Sequence, residues 1–161
     1  MNQAKQLGTL LLAGVTTTVG WCQVSYEQVF ASDGASDDLF GMPAGIVGEL
    51  VVIGALGHTH ANTSSGAAYL FERTPSGWVQ TVELLPSDGD PMNGGWGVAA
   101  LKGDTVLVGH AYASGSVYVF EKQGSQWIET GKLVPKPNGS NQAAQFGLAV
   151  DFSADVAAIG A

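Results

Sequence analysis

Cysteine is nearly absent from this chain. Cys22 is the only one among 161 residues, which excludes a disulfide framework. Positive charge is scarce as well: six Lys and Arg stand against 14 Asp and Glu, for a net charge of −8. Nucleic-acid partners need clustered Lys and Arg to meet phosphates, so they are excluded. The same deficit excludes a basic patch for anionic lipid. The longest apolar run, residues 7–19, falls short of the roughly 20 residues a membrane-spanning helix requires. Catalytic signatures are missing too. There is no Gly-x-Ser-x-Gly, no His-Glu-x-x-His and no phosphate-binding loop. The chain reads as a non-enzyme with no catalytic residue and no cofactor.

Glycine and apolar residues are plentiful. The sequence has 23 Gly and is 45% hydrophobic, too apolar for a disordered chain and suited to short strands joined by tight turns. The start has its own pattern. Lys5 lies in a polar opening, an uncharged apolar run follows, and polar sequence resumes after Cys22. A charged start with a short apolar centre is the pattern of a secretory signal peptide, here residues 1–22, with Gly20 and Cys22 as the small residues before cleavage. That predicts a secreted or cell-surface protein with residues 23–161 as its folded part. A lipoprotein anchored at Cys22 is disfavoured, because Trp21 sits where a small residue is needed. The alternative is an N-terminal strand or helix that stays in the protein.

The remainder is repetitive. Gly66, Tyr69, Phe71 and Glu72 recur 49 residues later as Gly115, Tyr118, Phe120 and Glu121. Trp78, Leu84 and Pro86 recur at the same offset as Trp127, Leu133 and Pro135. A second pattern occurs three times. Phe40-Gly41, Trp96-Gly97 and Phe146-Gly147 each open a segment that closes on Gly54-Ala55, Gly109-His110 or Gly160-Ala161. Glu49, Asp104 and Asp155 each stand five residues before the closing Gly. The units lie near residues 40–86, 96–135 and 146–161, the last incomplete.

Each unit reads as four short strands. In the second they are expected near residues 98–101, 105–108, 116–120 and 127–134. The second strand is apolar throughout and is expected to be covered on both faces. The fourth alternates through Trp127, Glu129 and Lys132, as a half-solvated outer strand does. A further strand is expected near residues 24–31. Four antiparallel strands repeating about every 50 residues form a β-propeller blade. The fold class is therefore all-β, an incomplete propeller segment of two to three blades. Such blades need neighbours, so open faces favour self-association.

Phe-Gly, then Ile-Gly-Ala, then Gly-x-x-Tyr-x-Phe-Glu and Trp resembles the FG-GAP repeat of integrin-alpha-like propellers, in its secreted microbial form. The likeness runs from about residue 24 to the end. It implies an extracellular propeller for adhesion or ligand binding, and in many members a calcium ion in the hairpin between the first two strands. Here those hairpins carry one acid each, Glu49, Asp104 and Asp155. Calcium needs six to eight oxygens, so no calcium site is expected and the acids are read as turn residues.

Asp33, Asp37 and Asp38 precede the first unit, and Asp88 and Asp90 precede the second. Neither group matches a calcium loop, so solvated turns are expected, as also at Asn138 and Asn141. His58 and His60 lie in the longer loop of the first unit, and His110 opens the matching loop of the second. Three imidazoles are a zinc or copper ligand set, but a His pair in a polar loop is more simply solvated. No metal site is therefore expected. Trp78, Trp96 and Trp127 are read as packing rather than sugar platforms, because Trp78 and Trp127 repeat and Trp96 replaces a Phe. Glu49 and Glu83 show no partner for acid–base work.

The resulting expectation is a non-catalytic propeller segment for adhesion or recognition of a protein or glycan ligand, using blade loops such as residues 56–65. The alternative is a scaffold within a larger secreted enzyme whose catalytic residues lie outside this chain.

Overall fold

The computed structural model describes residues 8–11, 23–60, 63–64, 66–88, 96–111, 115–136, 145–153 and 156–161, and all regular structure within them is β. The chain divides into two units, Met1–Phe30 and Ala31–Ala161. In the first, strand β1 (Gly8–Leu11) pairs antiparallel with β2 (Gln23–Tyr26). The strand expected near residues 24–31 is thus shorter and has β1 as its partner. Cys22 lies outside the described residues.

The second unit carries the repeats. The first blade comprises β3 (Phe40–Val47), β4 (Leu50–Ala55), β7 (Ala67–Thr74) and β8 (Gly77–Leu84), hydrogen-bonded antiparallel in that order. Between β4 and β7, β5 (Thr59–His60) and β6 (Thr63–Ser64) form a small hairpin. The second blade repeats the order with β9 (Trp96–Lys102), β10 (Thr105–His110), β11 (Ser116–Gln123) and β12 (Gln126–Leu133). β13 (Ala149–Ser153) and β14 (Val156–Gly160) pair as the opening hairpin of a third. This is the all-β, incomplete propeller segment expected from the repeat.

The repeat is reproduced in detail. The β7–β8 ladder shifts register between Leu70 and Phe71, and the β11–β12 ladder shifts between Val119 and Phe120, at corresponding positions. The acids in the first hairpins, Glu49 and Asp104, are exposed turn residues. Each contributes its main-chain carbonyl: the Arg73 amide donates to Glu49 O and the Lys122 amide to Asp104 O, both at 2.8 Å. Asp155 lies outside the described residues.

Burial follows the expected pattern. Val52 through Ala55 are buried in succession, as are Val106 through His110, so the second strands are covered on both faces. One core joins the blades. Val52, Ala68, Leu70 and Leu84 meet Ala99, Leu101, Val106, Val108, Tyr118 and Phe120, and Trp127 packs from the edge. Fully burying a Leu or Phe stabilises by about 1.5–3 kcal/mol, so this shared core couples the blades strongly. Trp78 and Trp127 belong to the scaffold: Arg73 lies 5.3 Å over the Trp78 ring and Lys122 lies 5.9 Å over Trp127. On the other face of the first blade, the Phe40 ring meets Tyr69 and Phe71 edge-on, at 5.8 and 6.2 Å.

Candidate functional site

Residues 31–39 lead into β3 through two turns, closed by Gly34 N to Ala31 O and Asp38 N to Ala35 O, both 3.3 Å. Asp residues suit such turns because the side chain can accept from a nearby backbone amide. Asp38 does so: its Oδ2 accepts the Ala35 amide at 2.8 Å. The same oxygen lies 3.0 Å from Nδ1 of His58, across the β4–β7 connection. Main-chain bonds hold the two segments together. Gly57 N donates to Asp38 O at 2.9 Å, His58 N to Ala55 O at 3.2 Å, and Gly66 N to His58 O at 3.0 Å. Gly57 is required there, since a Cβ at this position would lie 2.2 Å from the Asp37 carbonyl oxygen.

His58 and Asp38 are buried, at 4% and 5% exposure. Burial alone raises the Asp38 carboxyl pKa, but the His58 hydrogen bond, the Ala35 amide and the His58 charge outweigh it and hold the group below its ordinary value. An ionised carboxylate only accepts, so His58 Nδ1 carries a hydrogen and donates it to Asp38. The other ring nitrogen then faces two further acids. His58 Nε2 lies 3.3 Å from Glu83 Oε1 and 3.7 Å from Asp33 Oδ2. These three ligand atoms lie within 4.8 Å of one another.

Tyr69 closes the site from below. Its ring stands edge-on to His58 at 5.8 Å, and the residue is fully buried. Its hydroxyl lies beside Glu83 and Asp33, near enough to Asp33 to feel its carboxylate but outside full hydrogen-bond geometry. Burial, then the Glu83 and Asp33 charges, push its pKa far above the ordinary value, so it stays protonated.

The second blade offers an internal comparison. Ser32 docks on β8, with its amide 2.8 Å from Gln80 Oε1 and its hydroxyl accepting from Gln80 Nε2 at 3.1 Å. Ser87 docks on β12 in the same way, with its amide 2.8 Å and its hydroxyl 2.9 Å from the Glu129 carboxylate. Asp33 and Asp88 therefore occupy matching places. Tyr69 pairs across the ladder with Glu83, and Tyr118 pairs with Lys132. In the second blade the Tyr118 hydroxyl donates to the Asp88 carboxylate, 3.0 and 3.1 Å from its two oxygens, and the Lys132 ammonium bonds the same group. A protein cation thus fills the second site, whereas in the first an acid stands in the lysine's place.

Several expectations need correction. Asp33 and Asp38 are more than solvated turn residues, because the fold carries them over the face of the first blade to His58. Asp88 is likewise engaged, by Tyr118 and Lys132. Asp37 remains an exposed turn residue, and Asp90, Asn138 and Asn141 lie outside the described residues. His58 and His110 are buried, not solvated: each starts or ends a connection folded against strands. The side chain of His60 is outside the described residues. Glu83 does have a partner, His58. A signal for it existed in the sequence, since the repeat offset aligns Glu83 with Lys132 and so reverses the charge at one register position.

A cleft of about 710 Å³ also opens between β8 and β12, lined by Val82, Leu84, Trp127 and Ile128 with Glu72 and Glu129 at its polar side.

No curated protein matches the chain. Residues 24–71 match the model of the FG-GAP repeat. The matched stretch runs from β2 through Phe40-Gly41 and Gly54-Ala55 into β7, and it contains Asp33, Asp38, His58 and Tyr69. The second blade repeats its strand order and turn bonds. Residues 24–71 therefore carry an FG-GAP repeat.

Proposed function

We propose that the chain is a non-catalytic, secreted or surface-exposed propeller segment that recognises a protein or glycan ligand through its blade loops. FG-GAP repeats occur in extracellular and surface proteins. Residues 1–22 act in this reading as a signal peptide.

One observation carries the assignment of the binding loop. The connection between β4 and β7 is longer than its counterpart between β10 and β11 and holds its own β5–β6 hairpin. That hairpin springs from His58, which is fixed through its ring, its amide and its carbonyl. Long loops on a rigid scaffold are where binding residues concentrate, and a pre-ordered loop loses less entropy on binding.

Arrays of immobilised glycans and extracellular-matrix proteins test the reading. The full chain is expected to bind a defined subset of them. Replacing residues 59–64 with a Gly-Ser linker, with His58 kept, is expected to abolish that binding without changing the circular dichroism spectrum. Absence of binding by the parent chain, or binding retained by the loop variant, overturns the proposal.

A further inference from the structure

We propose that Asp33, His58 and Glu83 form a binding site for a divalent transition-metal ion of the zinc type, with Asp38 as the residue that orients His58. The site is independent of the recognition reading above.

The ligand chemistry comes first. Asp38 commits Nδ1 of His58 as a donor, which turns Nε2 toward the two carboxylates as the nitrogen that a metal would take in exchange for a proton. A carboxylate holding the far nitrogen of a ligating histidine is the usual outer support of such sites, fixing both tautomer and ring orientation. One imidazole and two carboxylates, with a place left for water, suit zinc. Calcium and magnesium prefer oxygen alone.

Spacing around Nε2 favours a metal over an organic cation. Metal bonds of about 2.1 Å in tetrahedral geometry place ligand atoms about 3.4 Å apart. An ammonium group at about 2.8 Å from each acceptor spreads them to about 4.6 Å. The separations from Nε2 are 3.3 and 3.7 Å, close to the metal spacing, and all three ligand atoms lie within 4.8 Å of one another, so a metal needs only the two carboxylates to draw together.

Two independent observations point to an occupant. Tyr69 is fully buried, and its hydroxyl, directed at the same carboxylates, has no hydrogen-bond partner among the described residues. A buried, unsatisfied hydroxyl costs about 1–3 kcal/mol, which a metal-bound water would relieve. The second blade then shows what this place in the repeat holds. There Asp88 and Tyr118 surround the ammonium of Lys132. In the first blade Glu83 stands at that lysine's register position, and Asp33, Asp38 and Glu83 converge on a single histidine. A divalent ion bound at Nε2 would meet these carboxylates with more positive charge than the imidazole alone can carry.

Zinc titration of the full chain by calorimetry tests the proposal, with calcium as comparison. One equivalent of zinc is expected to bind, and cobalt(II) is expected to give the visible absorption of a four-coordinate N/O site. Glu83→Lys imports the arrangement of the second blade, and it is expected to fold while losing zinc binding at least 100-fold. His58→Gln is expected to do the same. Asp38→Asn is expected to weaken binding 10- to 100-fold, the range typical of outer-shell partners. A readout on the unmodified chain guards against misfolded variants. On adding zinc, the nitrogen spectrum of His58 is expected to change at Nε2, while Nδ1 stays protonated. No zinc binding, tighter calcium binding, unchanged binding in Glu83→Lys, or a response confined to His60 or His110 would each overturn it.

Discussion

Lys132 occupies in the second blade the register position that Glu83 holds in the first, each opposite a buried tyrosine. The scaffold around the two positions is the same, down to the serine docked on the outer strand. The chemistry is opposite. One site carries its own cation and the other gathers acids around a histidine.

The filled site predicts a pH response. Burial lowers the Lys132 pKa, but the Asp88 carboxylate and Tyr118 outweigh it and hold the ammonium above its ordinary value of 10.5. Tyr118 is raised above its ordinary 10.0, chiefly by burial. Both folded values exceed the unfolded ones, so their stabilisation is complete below about pH 10 and is lost as pH rises through the folded values. The denaturation midpoint is expected to hold steady from pH 8 to 10 and fall above it. Tyr69 and Tyr118 keep their raised values without the lysine, so Lys132→Met is expected to reduce the alkaline decline without removing it, and an unchanged decline in this variant would assign it to the tyrosines alone.

Gly57 predicts how the two segments of the first site depend on each other. A methyl group there meets the Asp37 carbonyl at 2.2 Å, so residues 37–38 must move. Gly57→Ala is expected to cost about 1–3 kcal/mol, as overpacking does, and to break the Asp38–His58 hydrogen bond. Urea denaturation measures the first effect. Loss of the downfield-shifted Nδ1 proton of His58 reports the second.

Much of this fold is legible in the sequence because repetition is itself information. Tyr69, Phe71 and Trp78 recur at one offset, and the strand order of each blade follows from Gly-centred turns between β-rich runs. The site is less legible. Asp33, His58 and Glu83 lie on a turn, a loop and an outer strand, and only the fold of residues 31–39 over the first blade brings them together. Turn preference explains Asp38 equally well whether or not it is buried, so composition alone points to solvent. The partial exception is Glu83, whose mismatch with Lys132 could be read from the repeat.

The core shared by the blades predicts a single cooperative transition. Leu70 is fully buried at the centre of the cluster that joins them. Leu70→Ala is expected to cost about 2–5 kcal/mol through lost burial and the cavity left behind. The loss should appear equally in the fluorescence of Trp78, on the first blade, and of Trp127, on the second. Single-tryptophan variants followed in urea check this, and two separated midpoints would show the blades unfolding independently.

The outer faces of the segment predict association. Ile46, Met42 and Val47 on β3 are 65%, 57% and 45% exposed, and Val156 on β14 is 73% exposed. Propeller blades bury these faces against neighbours, and apolar strands left open promote association. We propose that a second copy of the chain covers them. Light scattering on residues 23–161 is expected to give a dimer or larger discrete species at about 100 µM, within the affinity range of standard-sized interfaces. Substituting Ile46→Lys and Val156→Lys together is expected to shift the mass to the monomer. Neither residue belongs to the shared core, so the double variant should keep its thermal midpoint at high dilution. A monomeric parent chain, or a mass unmoved by the two lysines, would place the contact on another surface or remove it.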